Sequence, residues 1–121
     1  MKYEWFEEYA TSKKGAYKEY KAEWEADRYM IRDKMFMYRG INDSNGREII
    51  TLKLEPEMGQ ALREQSDGDI VPGYYMNKIH WSSVYIEGNV SDDLLRSMID
   101  EAYQLILESF SKKAQREILE G

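Results

Sequence analysis

Apolar positions in this chain recur first with a helical and then with a strand-like period. Over residues 2–10, Tyr3, Phe6 and Tyr9 or Ala10 return every three or four positions, with Glu4, Glu7 and Glu8 on the other face. That spacing predicts a short amphipathic helix. Gly15 is a C-terminal breaker, and Lys13 and Lys14 suit the negative end of the helix dipole. From Ala16 the period becomes two. Residues 16–22 alternate too ambiguously to define a strand, whereas 27–32 and 35–39 alternate clearly around a tight turn at Asp33-Lys34, which reads as a hairpin. Asn45-Gly46 signals a second hairpin turn, because both residues tolerate positive φ. Its return strand, 47–54, puts Ile50, Leu52 and Leu54 on one face with Thr51 and Lys53 opposite.

Helical spacing then resumes. Pro56 suits a first helical position, and Met58, Ala61 and Leu62 form the expected buried stripe of a second helix. Gly59 costs that helix roughly 1 kcal/mol against alanine, so the helix should be short or closely packed. Pro72-Gly73 opens a stretch that ends in the alternating run 82–86. Ser91 followed by Asp92 and Asp93 caps a long third helix. Its apolar face is Leu94, Leu95, Met98, Ile99, Ala102, Leu105, Ile106 and Phe110, and a last helical segment covers 114–120. The predicted fold is α+β and two-layered: an antiparallel sheet, made of a three-strand N-terminal meander plus one or two further strands, covered by helices.

With no repeat and no linker, the 121 residues read as one domain, 1–121. No apolar run is long enough to span a membrane, and residues 1–15 carry no signal-peptide core. The chain has no cysteine, which removes disulfides and thiol chemistry and agrees with a cytoplasmic location. The net charge of −6 argues against strong, nonspecific nucleic-acid binding. The charge is unevenly spread, however. Residues 13–39 hold eight bases against five acids, and 87–121 hold four against eight, so any basic face belongs to the N-terminal strands.

The chemistry-bearing residues concentrate between Gly73 and Gly88. This stretch has the only histidine, and it sets Asn77, Lys78, His80 and Trp81 directly ahead of the strand-like run. One histidine without cysteine cannot furnish a transition-metal set. No phosphate-binding glycine loop is present, and the calcium-like turn at Asp43 has Leu52 where the bidentate glutamate should stand. No nucleophile elbow surrounds Ser82 or Ser83. The expectation is a non-enzyme with no cofactor and no metal. If 76–81 is extended, Lys78 and His80 project from one face and Asn77, Ile79 and Trp81 from the other. Such a lysine–imidazole pair suits a phosphate, a carboxylate partner or a stacked base. The same residues could equally serve structure, with His80 bonding a loop carbonyl, Asn77 capping a turn and Trp81 plugging the sheet edge.

The run from Val71 to Gly88, VPGYYMNKIHWSSVYIEG, closely resembles the signature of the MmcQ/YjbR family. Lys14-Gly15-Ala16, Trp24, Lys53-Leu54-Glu55-Pro56-Glu57, Leu62-Arg63, Ser91-Asp92-Asp93-Leu94-Leu95 and Ile99-Asp100-Glu101-Ala102-Tyr103 fit in order, so the likeness covers essentially the whole chain. Lys13-Lys14-Gly15 departs from the family's usual Lys-Pro-Gly. The resemblance implies a CyaY-like or secretion-chaperone-like fold and a "double wing" DNA-binding label. It would carry the binding surface to Asn77, Lys78, His80 and Trp81, with Lys53 and Arg63 as basic neighbours. The Asn45-Gly46 hairpin would be one wing, and Arg39 and Arg47 its phosphate contacts. Three readings stay open: a weak, salt-dependent DNA-binding protein, a chaperone-like protein-interaction domain, and a frataxin-like acidic ridge at Glu4, Glu7 and Glu8. Oligomeric state is not legible.

Overall fold

The computed structural model describes residues 2–73 and 76–121, so the Tyr74-Tyr75 step of the signature lies outside the described residues. Helix α1 (Phe6–Thr11) leads into strand β1 (Ala16–Lys21), a 3-10 turn (Ala22–Trp24), and strands β2 (Ala26–Ile31), β3 (Lys34–Asn42) and β4 (Arg47–Lys53). Helix α2 (Pro56–Gln65), strands β5 (Ile70–Pro72) and β6 (Trp81–Tyr85), and helices α3 (Asp92–Glu108) and α4 (Lys112–Glu120) follow. The strands form one sheet in the order β1-β2-β3-β4-β6-β5, with every neighbouring pair antiparallel. The α+β, sheet-plus-helices architecture expected from the periodicity is the one observed.

Period-two alternation decides which face each side chain joins. Tyr29, Met37, Ile50, Leu52 and Val84 face the helices and meet Tyr3, Phe6, Leu95, Met98, Ile99 and Ala102 in the main core. The opposite face carries a smaller cluster of Ala26, Tyr38, Ile49 and Tyr85, on which Trp24 and Met76 pack. Over its middle, then, the sheet is closed on both sides. Helix α3 is held at its start by Ser91, whose Oγ accepts the Leu94 amide at 3.1 Å.

Several expectations need correcting. Residues 16–21 are a full edge strand, so the N-terminal meander has four strands and the sheet six. Propensity missed β1 because its polar residues are stabilised by pairing with β2, including the Arg28–Glu19 ion pair. The first hairpin turns at Arg32, with φ of +52°, and Lys34 already belongs to β3. In the second turn only Gly46 uses positive φ, at +72°. In α2 the buried residue is Gly59, while Met58, Ala61 and Leu62 are only half-buried. The helix approaches β6 so closely that a Cβ on Gly59 would stand 3.3 Å from Ser82 Oγ. The predicted stripe failed because close approach, and not side-chain bulk, seats this helix.

Candidate functional site

The segment before β6 is not extended. Asn77 organises it as a turn: its Oδ1 accepts the Ile79 amide at 2.8 Å, and its carbonyl accepts the amides of His80 and Trp81 at 3.2 and 2.9 Å. These bonds leave Asn77, Lys78, Ile79 and His80 all exposed, so the predicted division of the segment into two strand faces does not hold. Asn77 therefore shapes the backbone with its side-chain oxygen, closing an Asx turn. The turn is tied to the sheet by the Leu54 amide, which donates to the His80 carbonyl at 2.8 Å. Lys53 lies directly across from Trp81 in the β4–β6 register. Lys53, Lys78 and His80 thus come to one end of the sheet from two elements distant in sequence. Trp81 does not share this exposure. It is buried on the face opposite the main core, and its carbonyl accepts the Gly73 amide at 2.8 Å.

The other sequence-derived candidates separate from this group. Arg47 sits at the far end of β4, six residues from Lys53, or about 20 Å at strand rise. Its guanidinium lies over the Tyr85 ring, 3.7 Å from the centroid. Tyr85 is anchored in turn by Asn42 and Asn45, whose amides donate to its hydroxyl at 3.2 and 3.1 Å. Sequence reading missed this asparagine–tyrosine lock, which joins the hairpin tip to β6 across forty residues of chain. Arg39 faces the helix side of the sheet and bonds Glu48 at 3.1 Å, so it shares no face with Arg47. The hairpin does not present the two arginines together. Arg63 is half-buried and donates to Ser82 Oγ at 2.7 Å, which makes it a strut between α2 and β6.

Ion pairing divides the cations further. Lys13, Lys18, Lys21, Arg28, Arg32, Arg39 and Arg96 all bond carboxylates. Among the described residues, no hydrogen bond or ion pair occupies the side chains of Lys53, Lys78 or His80. Of the proposed acidic ridge, Glu7 is committed to Lys18, raising that lysine's pKa. No three His, Cys, Asp or Glu side chains cluster as a metal set among the described residues. Nor is any helix there long and apolar enough to cross a membrane.

The class this defines is a small α+β domain with a closed core and a cationic turn at one end of its sheet. The profile of the YjbR family matches residues 11–105, and the chain belongs to that family. It is 31% identical over 97 residues to the uncharacterized protein YjbR of Escherichia coli (strain K12), covering 80% of each chain. It is 35% identical over 97 residues to the uncharacterized protein YbdF of Escherichia coli O157:H7, covering 80% of this chain and 77% of that one. Among solved structures, Deinococcus radiodurans protein DR2400, with domain DUF419, superposes with a TM-score of 0.77 at 25% identity, over 90% of this chain and 82% of that one. A Pseudomonas syringae protein superposes at 0.69 and 28% identity, over 83% and 94%.

Proposed function

We propose that this YjbR-family chain is a non-enzymatic binding domain that takes nucleic-acid phosphates at the sheet end that carries Lys53 and the Lys78–His80 turn. One observation carries the reading: among the described residues the side chains of Lys53, Lys78 and His80 have no protein partner, the last two on a turn closed by hydrogen bonds to Asn77, while seven basic side chains bond carboxylates. A lysine already bonded to a carboxylate gains little from a phosphate, because the first bond must be given up; an unpartnered one does not pay that cost. With two lysines and one imidazole, binding is weak and comes from backbone charge, with no means of reading bases. A protein-interaction surface on the sheet face opposite the main core is less well supported, since Ala26, Tyr38, Ile49 and Tyr85 there are already buried.

The test is fluorescence anisotropy with a short labelled duplex and its single strand, from low to physiological salt. Two engaged lysines give a log–log salt slope of roughly −2, and Lys78→Gln reduces its magnitude by about 1. Arg39→Gln leaves binding unchanged. Absence of association with both probes at low salt refutes the proposal, as does unaltered binding by a Lys53→Gln/Lys78→Gln double variant.

A further inference from the structure

The opposite end of the sheet has the complementary character. Tyr20, Asp27 and Arg39 lie side by side across β1, β2 and β3, with Ile41 and Glu48 in the next row. Together with Glu25 and Gly40 they line a pocket of about 170 Å³ on the helix-bearing side, beyond the cover of the helices. Tyr20 and Ile41 are 62% and 51% exposed, a pair of large apolar side chains in one concavity. Three carboxylates, Glu25, Asp27 and Glu48, surround them, and the one base, Arg39, is already bonded to Glu48. The pocket is therefore an apolar floor with an unbalanced acidic rim.

The molecule itself carries a feature of the reciprocal form. In the turn after Asn77, Ile79 is 63% exposed and stands between Lys78 and His80. An apolar tip with a lysine on one side and an imidazole N–H donor on the other suits an apolar floor flanked by carboxylates, in charge and in hydrogen bonding. The turn cannot reach the pocket of its own chain. It leaves the Lys53 end of β4, whereas the pocket lies toward the Arg47 end, about 20 Å away along the strands.

We infer that a second copy of this chain is the occupant: the Lys78-Ile79-His80 turn of one molecule seats in the Tyr20/Ile41 pocket of the next. Because the two surfaces differ, the contact is heterologous, and repetition closes into a ring or runs on as an open chain. The contact is small and strongly charged, so it is weak and salt-sensitive. It shares Lys78 and His80 with the nucleic-acid reading, and the two ligands compete for the turn. It does not depend on that reading, since the pocket residues contact no phosphate.

Sedimentation velocity over a range of protein concentrations tests the inference. At low salt the weight-average mass of the wild-type chain rises with concentration and returns to the monomer value at high salt. Ile79→Asp, which sets a carboxylate against carboxylates, and Tyr20→Ser/Ile41→Ser, which removes the floor, each stay monomeric with unchanged circular dichroism. Mixed together, they form dimers and nothing larger, because the blocked-turn chain still has its pocket and the blocked-pocket chain still has its turn. A wild-type chain that is monomeric at every concentration overturns the inference, as does a mixture that fails to dimerise. Anisotropy on the Tyr20→Ser/Ile41→Ser variant separates the two proposals, since its nucleic-acid binding stays at the wild-type level.

Discussion

The two ends of the sheet are built from the same strands and hold their charges in different ways. At the hairpin end, Arg39 is bonded to Glu48, Arg47 lies on the Tyr85 ring, and Asn42 and Asn45 fasten the loop through one hydroxyl. At the turn end, Asn77 spends its hydrogen bonds on backbone and leaves Lys78 and His80 to solvent. The difference is one of what the polar groups stabilise. A cation satisfied by its own fold contributes to rigidity and has little left for a ligand. A basic side chain presented to solvent on a hydrogen-bonded turn has no such bond to give up when a partner arrives. The lack of an internal partner marks a charge as available, which the number of nearby lysines and arginines does not.

The largest way to break this contrast is to dislodge the turn from the sheet. A Cβ at Gly73 would stand 2.7 Å from the Trp81 Cβ and 2.9 Å from its backbone carbonyl, where nothing flexible can give way. Gly73→Ala should cost about 3 kcal/mol in urea denaturation and abolish nucleic-acid binding with it. A cost well under 1 kcal/mol would show that the turn is not held there.

At the hairpin end the effect is smaller and of another kind. Tyr85→Phe removes the acceptor for both asparagine amides and should cost about 1–2 kcal/mol, mostly in the hairpin. Hydrogen exchange should speed up at the β3–β4 tip and stay unchanged at 77–80. Equal loss of protection at both ends would erase the distinction drawn between them.

Alkali gives the gentlest probe. Burial, followed by the charges of Glu7 and Asp27, raises the pKa of Tyr29, and a hydrogen bond to Asp100 holds Tyr9 at about 12. Both phenols are thus bound to their protons more tightly in the folded chain than in the unfolded one. Their contribution is complete below pH 10 and is lost as the pH rises from about 10 toward 12. Unfolding midpoints should fall across that window, and Tyr29→Phe should flatten the fall. Because Asp27 and Glu7 raise this pKa in the folded chain, Asp27→Asn should leave the onset near pH 10 in place, end the loss at a lower pH and make it smaller overall. An unchanged profile would mean that Tyr29 does not feel the acidic end.

Much of the architecture was legible because it rests on local periodicity. Strands β2, β3 and β4, the Ser91 cap and the inward face of α3 each follow from spacing within one turn or one strand. The Gly73–Gly88 stretch likewise marked the family by its residues alone. Tertiary structure decided the rest. β1 is a strand because β2 pairs with it, and α2 is seated by Gly59 meeting β6. Arg39 and Arg47, on opposite faces of one hairpin, were separated by strand parity. Whether a given lysine is free was settled by carboxylates elsewhere in the chain: Glu7 for Lys18, Asp100 for Lys13. Spacing along a sequence encodes which side of an element a residue takes. It does not encode which distant oppositely charged group will stand beside it, and on this protein that pairing separates a structural charge from an available one.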